Sequence, residues 1–165
     1  MNLFLWGALP YIAFTFLIVG TLVRFFYFER NWTTKSSEFL EKKQLRIANP
    51  LFHFGLLCVI GGHVVGVLIP KTWTAALGIN DHMYHEGALY MGAVAGIIFI
   101  VGFLLLMKRR FTVAELKVNT SRLDKWLYLF LTLAIFSGMA GTLLNASGFF
   151  DYRVSIGPWF RSLLA

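Results

Sequence analysis

The run at residues 49–70, NPLFHFGLLCVIGGHVVGVLIP, constrains this chain more than any other stretch. About 20 apolar residues, entered through Asn-Pro and closed by Pro70, suit a helix able to cross a hydrocarbon core of ~30 Å. Two histidines, His53 and His63, stand inside it. At ~1.5 Å and ~100° per residue they lie roughly 15 Å apart along the axis and about 80° apart around it. One falls in each leaflet.

Histidines that share one metal from a single helix are usually three or four residues apart, so this pair cannot serve one ion. Each could supply one axial nitrogen to its own haem, the two haems stacked across the membrane. Gly61 and Gly62 precede His63, Gly66 follows it, and Gly55 follows His53. Residues without Cβ let a flat macrocycle approach the backbone. Ionisable groups inside a span are expensive and are functional candidates by default. The plainer reading is that both imidazoles hydrogen-bond to neighbouring helices and the glycines serve close packing.

Composition points the same way: 58% of residues are hydrophobic, 17% aromatic and 14% charged. A soluble domain carries about a quarter charged residues. The expected fold class is therefore all-α, an integral membrane helical bundle. The net charge of +7 clusters between the apolar runs and sets topology; it implies no nucleic acid. Cys58, the single cysteine, lies mid-span and reads as packing. The N-terminus lacks a basic region and a cleavage pattern, so it reads as the first span rather than a removable signal.

Four spans are expected, at about 3–28, 50–69, 84–107 and 123–144, in one membrane domain covering 1–165, with 145–165 an outer-side tail too short for a fifth. Pro10 should kink the first span, with Trp6 and Tyr11 near one interface. The polar stretch 29–48 should form a loop and a short surface helix capped at Ser36 and Ser37. Residues 71–81 should be a short connection at the interface. Gly92 and Gly96 in the third span have the spacing that lets another helix approach. Of the 15 Lys and Arg, six lie between Arg24 and Arg46 and six between Lys108 and Lys125; Lys71, Arg153 and Arg161 remain. This bias places the two basic loops in the cytoplasm and both termini outside.

His82 and His85, beyond the outer end of the second span, stand where a quinol would need proton acceptors, and Tyr84 could hold a quinone oxygen. Helix starts at an interface also commonly carry His and Tyr. Arg109 and Arg110 could pair with the propionates of the cytoplasmic haem, dock a soluble partner, or simply stop the span.

The segments NPLFHFGLLCVIGGHVVGVLIP, WTTKSSEFLEKK, LGINDHMYH and FDYRVSIGPWFR together resemble the membrane gamma subunit of respiratory nitrate reductase, a dihaem cytochrome b, over essentially the whole chain. That resemblance implies five spans in the prokaryotic inner membrane, with the N-terminus outside. It implies an iron–sulfur beta subunit and a molybdenum alpha subunit on the cytoplasmic face, and menaquinol or ubiquinol oxidised at the outer face. The chain would thus be the quinol-oxidising part of a quinol:nitrate oxidoreductase of anaerobic respiration. His63, after Gly62, matches a ligand of the distal haem b, and His53 a ligand of the proximal haem b. The family's second axial histidines come from a fifth helix that would start beyond Ala165, so a truncated product or a separate polypeptide supplying that helix is expected. The competing expectation is a haem-free membrane anchor; a transporter is less in keeping with spans that lack buried carboxylates.

Overall fold

A computed structural model describes residues 2–28, 37–149 and 151–164. These fall into two compact units, one ending at Ser37 and one from Glu38 onward. The described residues are all-α, and four helices are long and apolar enough to cross a membrane. Their apolar side chains are largely exposed: Phe16 is 77% and Tyr90 70% accessible. In water such surfaces would drive aggregation, whereas lipid is their natural solvent. This is a membrane protein.

The first unit holds α1 (Leu9–Tyr27), preceded by a widened π-helical turn, Phe4–Ala8. Pro10 lies in the first turn of α1. It has no N–H to continue the ladder, and the helix widens on its N-terminal side.

The second unit is organised on two helices. The first, α2 (Lys43–His63), is extended by a second π-helical turn, Val64–Leu68. It opens well before the expected Asn-Pro entrance, and Pro50 lies inside it. The reason is upstream: Glu41 accepts the Gln44 amide at 2.7 Å, and the Gln44 side chain donates to the Leu105 carbonyl at 2.9 Å. The surface helix expected at Ser36 falls partly outside the described residues; from Glu38 to Leu40 the chain makes a turn.

A short helix, α3 (Lys71–Ala76), fills the connection and ends at Gly78, whose φ of 79° few other residues adopt. The Ile79 amide reaches back to Thr74, closing a Schellman-type end. Asn80 then caps the Met83 amide at 2.8 Å and begins α4 (Asp81–Thr112). At ~1.5 Å per residue α4 outruns a ~30 Å hydrocarbon core. Both of its ends therefore carry charge. After α5 (Ala114–Val118), a Ser121/Asp124 capping box starts α6 (Arg122–Ala146), and α7 (Ile156–Ser162) closes the described chain.

Helices α2 and α4 pack antiparallel at very short range. A Cβ on Gly55 would lie 2.5 Å from the Phe99 amide nitrogen, and one on Gly102 would meet the Phe52 backbone. The Phe52 ring stacks at 5.2 Å on Phe99 and 6.4 Å on Phe103. This is membrane packing driven by small residues and close contact. Gly92 and Gly96, expected to admit a neighbour, have nothing within 4 Å of a would-be Cβ. The register of Gly55 and Gly102 brings α2 onto the other half of α4.

Candidate functional site

His53 and His63 are both exposed on the apolar surface of α2. Their anchoring is the same. Nδ1 of His53 lies 2.9 Å from the Asn49 carbonyl oxygen, and Nδ1 of His63 lies 2.7 Å from that of Val59, each four residues back. A carbonyl only accepts, so in both rings the proton sits on Nδ1 and the lone pair on Nε2. Each Nε2 is left without a protein partner among the described residues.

This is the arrangement a metal-ligating imidazole uses: one nitrogen fixed by a backbone carbonyl, the other free to bind. Among the described residues no group of three or more His, Cys, Asp and Glu is placed to hold a bare ion. One imidazole per centre instead suits a macrocycle that brings its own four nitrogens. Space is available beside His63, since neither Gly61 nor Gly62 has an atom within 4 Å of a would-be Cβ. The residues present therefore fit a haem beside His63; at His53 the fit rests on the imidazole alone. Two of the expected cradle glycines are otherwise engaged. Gly55 is filled by the Phe99 backbone and Gly66 by the Tyr152 ring, 3.0 Å from a would-be Cβ.

At the His53 end of α2 the two arginines differ. Arg109, 4% exposed, is committed to Glu41. Its Nε donates to the carboxylate at 2.7 Å and its Nη2 to the main-chain carbonyl at 2.6 Å. The Gln44 amide, opposed by partial burial and aided by Arg109, holds the Glu41 carboxyl below its ordinary value. Arg110 donates through Nη2 to Asp124 at 2.8 Å, but its buried Nε has no acceptor among the described residues.

At the His63 end, Tyr84 is covered. The Arg153 guanidinium sits 3.6 Å over its ring, and Tyr152 lies beside it. Burial, with Tyr84 beside it, pushes the Tyr152 phenol up to about 12, so Tyr152 stays neutral. Arg153 donates through Nη2 to Thr74 at 3.0 Å; Nη1 stands 3.5 Å from Asp81, an ion pair by distance without hydrogen-bond geometry. His82 is exposed, 3.6 Å from Glu86, and His85 is half-buried one turn along α4. Sequence reasoning passed over Tyr152, Arg153 and Arg161, although FDYRVSIGPWFR is dense in polar groups for a tail.

Fold and site together define an all-α membrane protein that presents two similarly anchored imidazoles at two depths of one apolar helix. A family model described as nitrate reductase gamma subunit matches residues 2–165. The nitrate reductase gamma chain of Bacillus subtilis is 46% identical over 161 residues, spanning 97% of this chain and 72% of that one. The respiratory nitrate reductase 1 gamma chain of Escherichia coli is 30% identical over 124 residues, spanning 75% and 55%. The nitrate reductase-like protein NarX of Mycobacterium tuberculosis is 40% identical over 161 residues, spanning 96% of this chain and 25% of that one. The chain belongs to the nitrate reductase gamma subunit family.

Proposed function

We propose that the chain is the cytochrome b subunit of a respiratory nitrate reductase in the prokaryotic inner membrane. It would take electrons from menaquinol or ubiquinol at the outer face and deliver them to an iron–sulfur beta subunit and, through it, a molybdenum alpha subunit in the cytoplasm. The single observation that carries this reading is the common anchoring of His53 and His63, each with Nδ1 on a backbone carbonyl and Nε2 available. Haem b, when bound, supplies reversible one-electron transfer. His53 would hold the proximal group and His63, beside Gly62, the distal one.

The charge pattern supports the direction. The His53 end of the second unit carries Lys42, Lys43, Arg46, Lys108, Lys117, Arg122 and Lys125 besides the two paired arginines. Such an end stays in the cytoplasm and the N-terminus lies outside. Arg110, with an unsatisfied buried Nε, is the guanidinium suited to a propionate there. At the opposite end His82 and His85 are the groups suited to accept quinol protons, and Tyr84, its ring under the Arg153 guanidinium, is the one suited to hold a quinone oxygen.

The test is a reduced-minus-oxidised spectrum with a pyridine haemochrome count on the intact membrane complex. Two haems b per copy of this chain are expected. A complex of full composition without haem would leave a haem-free anchor as the function.

A further inference from the structure

The π-helical turn Val64–Leu68 begins at the residue after His63, and the C-terminal segment grips it. The Tyr152 ring fills the space at Gly66, where a Cβ would lie 3.0 Å from a ring carbon and 3.2 Å from the hydroxyl. Arg161, in the last turn of α7, donates through Nη1 to the Val67 carbonyl at 2.7 Å. Gly157 keeps that approach open, since its would-be Cβ lies 3.1 Å from the same Nη1 and 3.7 Å from the Val67 carbonyl oxygen. A widened turn leaves carbonyls poorly served by its own ladder, so an outside donor at Val67 is a physical support for it.

The gripping segment is itself fastened. Arg153, next to Tyr152 in the chain, reaches Thr74 of α3 while lying over the Tyr84 ring at the start of α4. Lys71 stands 3.4 Å from Asp151 and 3.5 Å from Asp81. Turn, connection and α4 are thus locked through residues 151–161. Around His53 α2 is held by α4 instead, through Gly55 on the Phe99 backbone and Phe52 against Gly102, and no bond from residues 151–161 reaches that part of α2 among the described residues.

The π turn closes the helix that carries His63, and the chain leaves it extended at Ile69, so whatever holds that turn holds the helix end next to the imidazole. We infer that Tyr152 and Arg161 are positioning residues for His63: by clamping the π turn at Gly66 and Val67 they fix the pose in which α2 presents that imidazole, and they do not act on His53. The inference rests on the reading of both histidines as axial haem ligands. Its physical content is a difference between two otherwise alike sites. Axial imidazole orientation tunes a haem's electronic state, so a released clamp registers at one haem and not at the other.

The experiment uses the intact complex, in wild-type form and with Arg161→Gln, Arg161→Lys, Tyr152→Phe and Gly66→Ala, read by low-temperature EPR and redox titration of each haem. His63→Ala and His53→Ala first assign which signals depend on which histidine. Arg161→Gln and Gly66→Ala should displace the signal and potential of the His63-dependent haem and leave the His53-dependent one in place. Arg161→Lys, which can still donate to the Val67 carbonyl, should recover most of the wild-type signal. Tyr152→Phe keeps the ring against Gly66 and should shift the signal less than Gly66→Ala. Unchanged signals in Arg161→Gln and Gly66→Ala, or equal displacement at both haems, overturns the inference while the haem reading stands. A wild-type complex without haem, or haem content insensitive to His63→Ala, overturns the haem reading itself.

Discussion

Arg109 and Glu41, 68 residues apart, form a two-point contact in which one guanidinium donates to both the carboxylate and the main-chain carbonyl of the same residue. Arg109 is almost wholly buried and Glu41 is 21% exposed in its side chain. The contact fastens the entrance of α2 to the last turn of α4. Arg109→Ala removes a charge-assisted donor pair from a buried position, a loss of about 2 kcal/mol. Arg109→Lys should recover little, because one ammonium cannot reproduce the planar fork. Thermal unfolding of the detergent-solubilised complex, with protease nicking after Ser37 as a second readout, measures both.

Glu41, held below its ordinary value by the Gln44 amide first and by Arg109 after it, also sets an acid limit. The folded-state value of Glu41 is lowered from the ordinary 4.5, so its contribution is fully present above 4.5 and is lost as pH falls through the lower folded value. Melting temperature should therefore drop on acidification below 4.5. Glu41→Gln should lower it at neutral pH and flatten that acid slope. An unchanged slope in Glu41→Gln would assign the acid sensitivity to other carboxylates.

The glycines of α2 and α4 divide into two sets with opposite expected responses. Gly55→Ala places a methyl against the Phe99 backbone, which cannot move without separating the helices; the cost is about 1–3 kcal/mol. Gly92→Ala and Gly96→Ala meet nothing within 4 Å and should gain up to about 1 kcal/mol from helix propensity alone. Paired melting curves of these variants decide it. Destabilisation by Gly92→Ala in the assembled complex would show that another polypeptide packs on that half of α4.

Much of this fold is written locally. The long apolar runs mark the helices, the Asn80 and Ser121 caps mark two of their starts, and Gly78 and Gly148, both at positive φ, mark two ends. The start of α2 was harder to read, because Asn-Pro is a strong opening signal and the Glu41 and Gln44 contacts that override it depend on α4. The histidines were legible from spacing, but their common Nδ1 anchoring needed coordinates. Glycine roles were the least legible. GGH and HxG look alike in sequence, yet Gly62 stands open while Gly55 and Gly66 are filled by Phe99 and Tyr152. Which glycine meets a helix and which meets open space depends on inter-helix register, and no local pattern encodes that.

The separation of His53 and His63 along one helix makes their losses independent. Each Nδ1 bond is to a carbonyl of the imidazole's own helix, so His53→Ala and His63→Ala remove an exposed ring without leaving a buried donor elsewhere. Both variants should fold and assemble, each with about half the wild-type haem. They should differ in where electrons stop. With His63→Ala, quinol should no longer reduce the remaining haem at a normal rate; with His53→Ala, quinol should still reduce the remaining haem while nitrate turnover fails. Gly62→Val should resemble His63→Ala in haem content, because the space it fills is open in the protein and needed only by a bound macrocycle. Stopped-flow reduction by a menaquinol analogue, followed at the haem band, with haemochrome counts on the same samples, separates these outcomes. If Gly62→Val keeps two haems per copy, the macrocycle does not approach α2 on the Gly62 side.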